Sequence, residues 1–115
     1  MTEIAHFIDK ARVAGTSGRS QPVFNPATGE AEKSVALASE GEVNAAVASA
    51  KAAWKTWSKT PPLRRARVLD RFKMILWDRA DQLAKAISAE HGKTHDDAVG
   101  EVTRGLEVVE FAVGA

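Results

Sequence analysis

Cysteine is absent from all 115 residues. That excludes disulfides, thiolate metal sites and a thiol nucleophile within this stretch, and it fits a reducing compartment, so a cytoplasmic protein is expected. A dominant charge is also missing. Sixteen Lys and Arg against fifteen Asp and Glu leave a net +1, so bulk electrostatics call for neither a nucleic acid nor a membrane surface as partner. No apolar run is long enough to cross a bilayer, and Met1 to Lys10 lacks the apolar core of a signal peptide. Internal repeats, low-complexity tracts and a Gly-rich phosphate loop are not found. With 44% hydrophobic and 27% charged residues, the composition is that of a folded chain, with room for one small domain.

What is present changes period along the chain. Residues 1–38 read as short strands and turns. His6-Phe7-Ile8 and Arg12-Val13-Ala14 flank Asp9-Lys10 as a hairpin. Val23-Phe24 runs into Asn25-Pro26-Ala27-Thr28-Gly29, where Asn25 can bond the backbone ahead of it, Pro26 fixes its own φ and Gly29 tolerates a positive one. Lys33 to Ala38 follows as a strand. Beyond it the period shifts from two to about 3.6. Ser39 and Glu42 have the spacing of a capping box, and Val43, Ala46, Val47, Ala50, Trp54 and Trp57 share one face of a helix over 41–58.

Thr60 is expected to cap a second helix with Pro61 at its first position, and Ala66, Leu69, Phe72 and Leu76 form its buried stripe. Asp78 is expected to cap a third helix with Leu83, Ala84 and Ile87 inward, closed by Gly92 in the left-handed region. Thr94 caps a fourth, with Asp96 and Asp97 in its favourable first turn and Ala98, Val102, Leu106, Val109 and Val113 inward. From Val108 onward this helix is apolar nearly all round. Such a helix is buried on all sides, which predicts covering polypeptide beyond residue 115 or a homo-oligomer.

Few residues could carry chemistry. His91 and His95 are four apart, but Gly92 breaks the helix between them, so a cap role for His91 and a solvated His95 are favoured over a metal site. The run Arg64-Arg65-Ala66-Arg67 with Arg71 and Lys73 is diluted by Asp70, Asp78 and Asp81, and reads as a solvated, salt-laced face rather than a nucleic-acid surface. Trp54, Trp57 and Trp77, at helical spacing with valine and leucine, read as core. Gly100 and Gly105 each cost ~1 kcal/mol against alanine inside a helix, which suggests close packing against a neighbour. Arg104 has Glu101 three residues before it and Glu107 three after. Two readings stand: ordinary i,i+3 pairs on a wet face, or a guanidinium held by these flanking carboxylates and aimed at an anionic ligand, whose carboxylate its planar fork binds in bidentate fashion, with Gly105 leaving space for that ligand.

Several segments in order carry a resemblance. Phe24-Asn25-Pro26-Ala27-Thr28-Gly29-Glu30, then an Ala-rich helix ending Trp54-Lys55-Thr56-Trp57, then Pro61-Pro62-Leu63-Arg64-Arg65-Ala66-Arg67-Val68-Leu69, resemble the start of aldehyde dehydrogenases. Glu90-His91-Gly92-Lys93-Thr94 and the segment from Arg104 to Ala112 resemble the CoA-acylating branch that oxidises methylmalonate and malonate semialdehydes. The resemblance implies a mostly α chain with a small N-terminal β portion, a fragment of the α/β aldehyde dehydrogenase fold. Residues 1–115 would be the N-terminal part of the NAD-binding and oligomerisation region, with 1–38 as strands and turns, 39–115 as four helices, and the catalytic domain absent. It also implies a parent reaction in which a cysteine thiolate attacks the aldehyde, a hydride passes to NAD and the acyl group passes to coenzyme A. No catalytic, cofactor-binding or metal residue of this chemistry falls on the present sequence, and the fragment alone is expected to be inactive. One residue does carry over: Arg104 would hold the substrate carboxylate, with Glu101 orienting it. The implied partners are the remainder of such a chain and further copies in a dimer or tetramer. The alternative is a non-catalytic helical homo-oligomer or protein-interaction module.

Overall fold

The computed structural model describes residues 2–115, which divide into two compact units, one ending at Lys59 and the other Thr60–Ala115. The first holds five strands, β1 (Thr2–Ile4), β2 (His6–Ile8), β3 (Ala11–Val13), β4 (Ser20–Phe24) and β5 (Ala31–Ala36), followed by helix α1 (Glu40–Trp57). The helical sequence is thus shared between the units, because α1 belongs with the strands.

β2 and β3 form the expected antiparallel hairpin, with His6 opposite Val13 and Ile8 opposite Ala11. Asp9 and Lys10 both take positive φ, 50° and 64°, the left-handed pair whose twist matches the flanking strands in a two-residue turn. β4 and β5 are antiparallel and carry the turn read from the sequence. The Ala27 amide donates to Asn25 Oδ1 at 2.9 Å, the Gly29 amide donates to the Asn25 carbonyl at 2.8 Å, and Gly29 sits at φ 74°. The second strand covers 31–36 rather than 33–38. β1 was not foreseen. It pairs parallel to β5, giving the order β1-β5-β4, and three residues hold too little pattern to declare a strand whose partner lies thirty residues on.

α1 opens on the capping box. The Glu42 amide donates to Ser39 Oγ at 3.2 Å and the Ser39 amide donates to Glu42 Oε2 at 2.8 Å. Glu42 also accepts the Thr16 amide at 2.7 Å through Oε1, which ties the loop after β3 to the helix start. These amides, Ser39 first and Thr16 second, lower the Glu42 carboxyl from its ordinary 4.5 to about 2. The unfolded group binds protons at higher pH than the folded one. Its contribution to stability is therefore complete above about pH 4.5 and lost as pH falls towards 2. Glu42→Gln should flatten acid unfolding across that window when followed by circular dichroism. An unchanged acid limb would contradict this role.

The second unit holds α2 (Pro62–Asp78), α3 (Ala80–His91) and α4 (His95–Gly114). Two expected caps are displaced. Pro61, not Thr60, is the cap residue of α2, and Pro62 takes the first helical position. The cause is steric: a residue before proline is driven out of the helical region, and Pro61 is extended at ψ 141°. Asp78 does not cap α3; it is the last residue of α2. Arg79 alone, at φ −106° and ψ 11°, ends one helix and begins the next. α3 closes as expected on Gly92 at φ 85°, and Thr94 caps α4 through the Asp97 amide at 3.3 Å.

α2 and α3 both pack on α4. Ala98, Leu106, Val102, Val109 and Val113 do turn inward, with Ala98 and Leu106 buried, as is Ala84 of α3. The core is far smaller than the stripes foretold. Phe72 and Leu83, assigned inward, remain exposed, as does the α1 stripe apart from the half-buried Ala46. The tryptophans are not core either: Trp54 is 57% exposed and Trp77 70%. On the outer face of α4, Phe111 is 80% exposed and Val108 is exposed beside it. α2 and α4 face each other with one stripe and carry further apolar side chains that no described residue covers.

Candidate functional site

The polar group singled out by spacing lies at the start and outer face of α4. Gly92 turns the chain out of α3, its amide donating to the Ser88 carbonyl at 2.9 Å. Two residues later Thr94 starts α4, so Lys93 is held between a left-handed residue and a helix cap. From there its side chain reaches two turns along the new helix, and Lys93 Nζ pairs with Glu101 Oε1. The Glu101 carboxyl is lowered from its ordinary value, chiefly by this lysine and to a smaller degree by the positive charges of Arg104 and His91.

Arg104 is exposed. It forms no hydrogen bond or ion pair with Glu101 or Glu107 among the described residues, so neither i,i+3 pair is made, the flanking carboxylates do not hold the guanidinium, and Glu101 does not contact the residue it was expected to orient. Its guanidinium folds back along α4 over Gly100, where Nη1 lies 3.7 Å from the position a Cβ would take. Gly100 therefore serves its own helix and not a close neighbour, contrary to the packing expectation. Gly105 likewise meets nothing within 4 Å. It opens onto a cleft of 440 Å³ with Phe72, Leu76, Ile87 and Val109 in its walls, and Arg104 is not part of that lining. A second cleft of 380 Å³ runs along α2 and α4, with Met74, Trp77 and Leu106 as its apolar part and Lys73, Asp78, Glu107 and Glu110 at its polar side.

The two histidines do not converge. His91 ends α3, and His95 Nε2 lies 3.1 Å from Asp81, which also binds Lys85 Nζ at 2.7 Å. Among the described residues no cluster of three or more His, Asp or Glu is placed to hold a metal. Among the described residues no helix is long and apolar enough to cross a membrane. The Lys93–Glu101 pair escaped the sequence reading, because eight positions across a helix boundary is not a helical spacing. The glycine before Lys93 was the available signal that its backbone turns back on α4.

This arrangement of a small mixed sheet, an Ala-rich capped helix and a three-helix unit belongs to the aldehyde dehydrogenase family, whose sequence model matches residues 13–115. Within it the chain is 49% identical over 117 residues to malonate-semialdehyde dehydrogenase 3 of Geobacillus kaustophilus, covering 99% of this chain and 24% of that protein. It is 47% identical over 115 residues to malonate-semialdehyde dehydrogenase of Pseudomonas aeruginosa, covering all of this chain and 23% of that one. Among solved structures, the methylmalonate-semialdehyde dehydrogenase of Oceanimonas doudoroffii superposes with a TM-score of 0.95 at 50% identity, over 99% of this chain and 23% of the other. A Sinorhizobium meliloti protein described as a methylmalonate-semialdehyde dehydrogenase, solved with NAD, superposes at 0.96 with 57% identity, over 99% and 23%. The chain thus spans about a quarter of the length of these relatives.

Proposed function

We propose that the chain is the N-terminal segment of an NAD-dependent, CoA-acylating (methyl)malonate-semialdehyde dehydrogenase, supplying scaffold and one wall of the substrate entrance. Within it, Arg104 receives the carboxylate that distinguishes a semialdehyde acid from a neutral aldehyde. The observation that carries the substrate role is an exposed guanidinium that, among the described residues, makes no hydrogen bond or ion pair with either glutamate three residues away on the same helix, and feels the charge of Glu101 only at a distance. The names and identities of the relatives support the substrate class.

The residues present do not fit NAD or coenzyme A. The chain has no thiol, and its described residues form no glycine-rich cradle for a pyrophosphate. Nucleophilic attack, hydride transfer and acyl transfer therefore fall to other parts of the enzyme, and this segment alone is inactive. The uncovered apolar faces of α2 and α4, Trp77 and Phe111 foremost, support the remainder of such a chain, and further copies of it, as partners. The cytoplasm is the proposed location.

In the full-length enzyme, Arg104→Ala should lower kcat/KM for malonate semialdehyde by about 10- to 100-fold, the range of a charged hydrogen bond, and leave propanal little changed. Equal losses on both aldehydes would overturn the specificity role. The rival reading, a free helical oligomer or interaction module, is favoured by the same uncovered faces. The mass of the source polypeptide separates the two: about four times 12.3 kDa for the enzyme, 12.3 kDa for the module.

A further inference from the structure

We infer that Lys93 is a positioning residue that keeps Arg104 available to an anionic substrate, by holding the Glu101 carboxylate away from it; this rests on the substrate role proposed above for Arg104. Glu101 and Arg104 are three apart on α4, a spacing at which opposite charges pair on a helix surface. Here they do not. Glu101 is engaged by Lys93, and the Arg104 guanidinium lies over Gly100 instead.

The lysine holds the advantage for structural reasons. Its side chain is 18% exposed and that of Glu101 40%, so their attraction is less screened than that of a pair standing in water. Its backbone is placed by the left-handed Gly92 and the Thr94 cap, which reduces the freedom lost when the pair forms. With Glu101 neutralised, the potential at Arg104 stays positive and its donors stay uncommitted. Without Lys93, the carboxylate three residues back would swing onto Arg104 and compete with a substrate carboxylate for the same fork.

The test uses the full-length enzyme, with malonate semialdehyde and propanal as substrates. Lys93→Met should raise KM for malonate semialdehyde about two- to fivefold, the equilibrium worth of a partly exposed ion pair, with kcat little altered. Adding Glu101→Gln, which removes the competing charge but not its shape, should return KM to the parent value. An unchanged KM in Lys93→Met overturns the inference. So does a raised KM that Glu101→Gln fails to restore, because a purely structural role for the lysine predicts no such rescue. Arg104→Ala measured in parallel separates the two claims. If it loses discrimination while Lys93→Met is silent, only the positioning role falls; if it loses none, both fall.

Discussion

Leu106→Ala should destabilise the three-helix unit by about 2–5 kcal/mol, read as lost hydrogen-exchange protection of α4 amides. Among the described residues Leu106 is the one large side chain that is buried, at 7% exposure, the others being alanines. It also lines both clefts beside α4. Truncation would remove its isobutyl group from the walls of both spaces, of 380 and 440 Å³. The lost transfer energy of three buried carbons and the dispersion contacts of their neighbours both contribute. Because the clefts are open, water and side-chain collapse will relieve part of the cavity cost, which places the result in the lower half of the range. A change within a few tenths of a kcal/mol would show that the unit does not depend on this residue, since surface substitutions fall within about 0.5 kcal/mol.

Gly15→Ala is the second large effect, and it falls in the strand unit. A Cβ at position 15 would lie 2.8 Å from the Ala36 Cβ and 3.5 Å from His6 Nε2. Ala36 is buried and its methyl has no rotamer by which to withdraw. Two terms oppose each other. Alanine restricts the unfolded chain, worth about 0.4–1 kcal/mol in favour of folding. Overpacking costs about 1–3 kcal/mol. The clash should win, for a net loss on the order of 1 kcal/mol at the middle of these ranges. The loss should appear as a lower midpoint of thermal unfolding. Neutral or raised stability would mean that the loop after β3 can move away from β5 at little cost.

Local features were legible where a few adjacent residues settle the backbone. Asp9-Lys10, Asn25 to Gly29, the Ser39–Glu42 box, Gly92 and Thr94 all act through bonds or steric limits within five residues, and each stands where it was expected. The failures have their own causes. Two prolines in succession shifted the start of α2, and a one-residue joint at Arg79 left Asp78 inside a helix. β1 depends on a partner in β5. Assigning Trp54 and Trp77 to a core assumed that apolar periodicity finds a cover, whereas a periodic stripe reports only what a helix would bury given a neighbour.

Arg104 and Glu101 were visible as a motif, but their relationship was not. Helical spacing alone joins Glu101 to Arg104. The structure gives Glu101 to Lys93, from across the α3–α4 turn, and lays Arg104 over Gly100. By itself the sequence determined the hairpin and Asn25–Gly29 turns, the four helices and the Ser39, Gly92 and Thr94 caps, because those follow from short-range sterics and hydrogen bonding. Which stripes are covered and which charge meets which were decided only in three dimensions. Burial and ion pairing depend on distances between residues that the chain brings together from separate elements, and no local pattern encodes them.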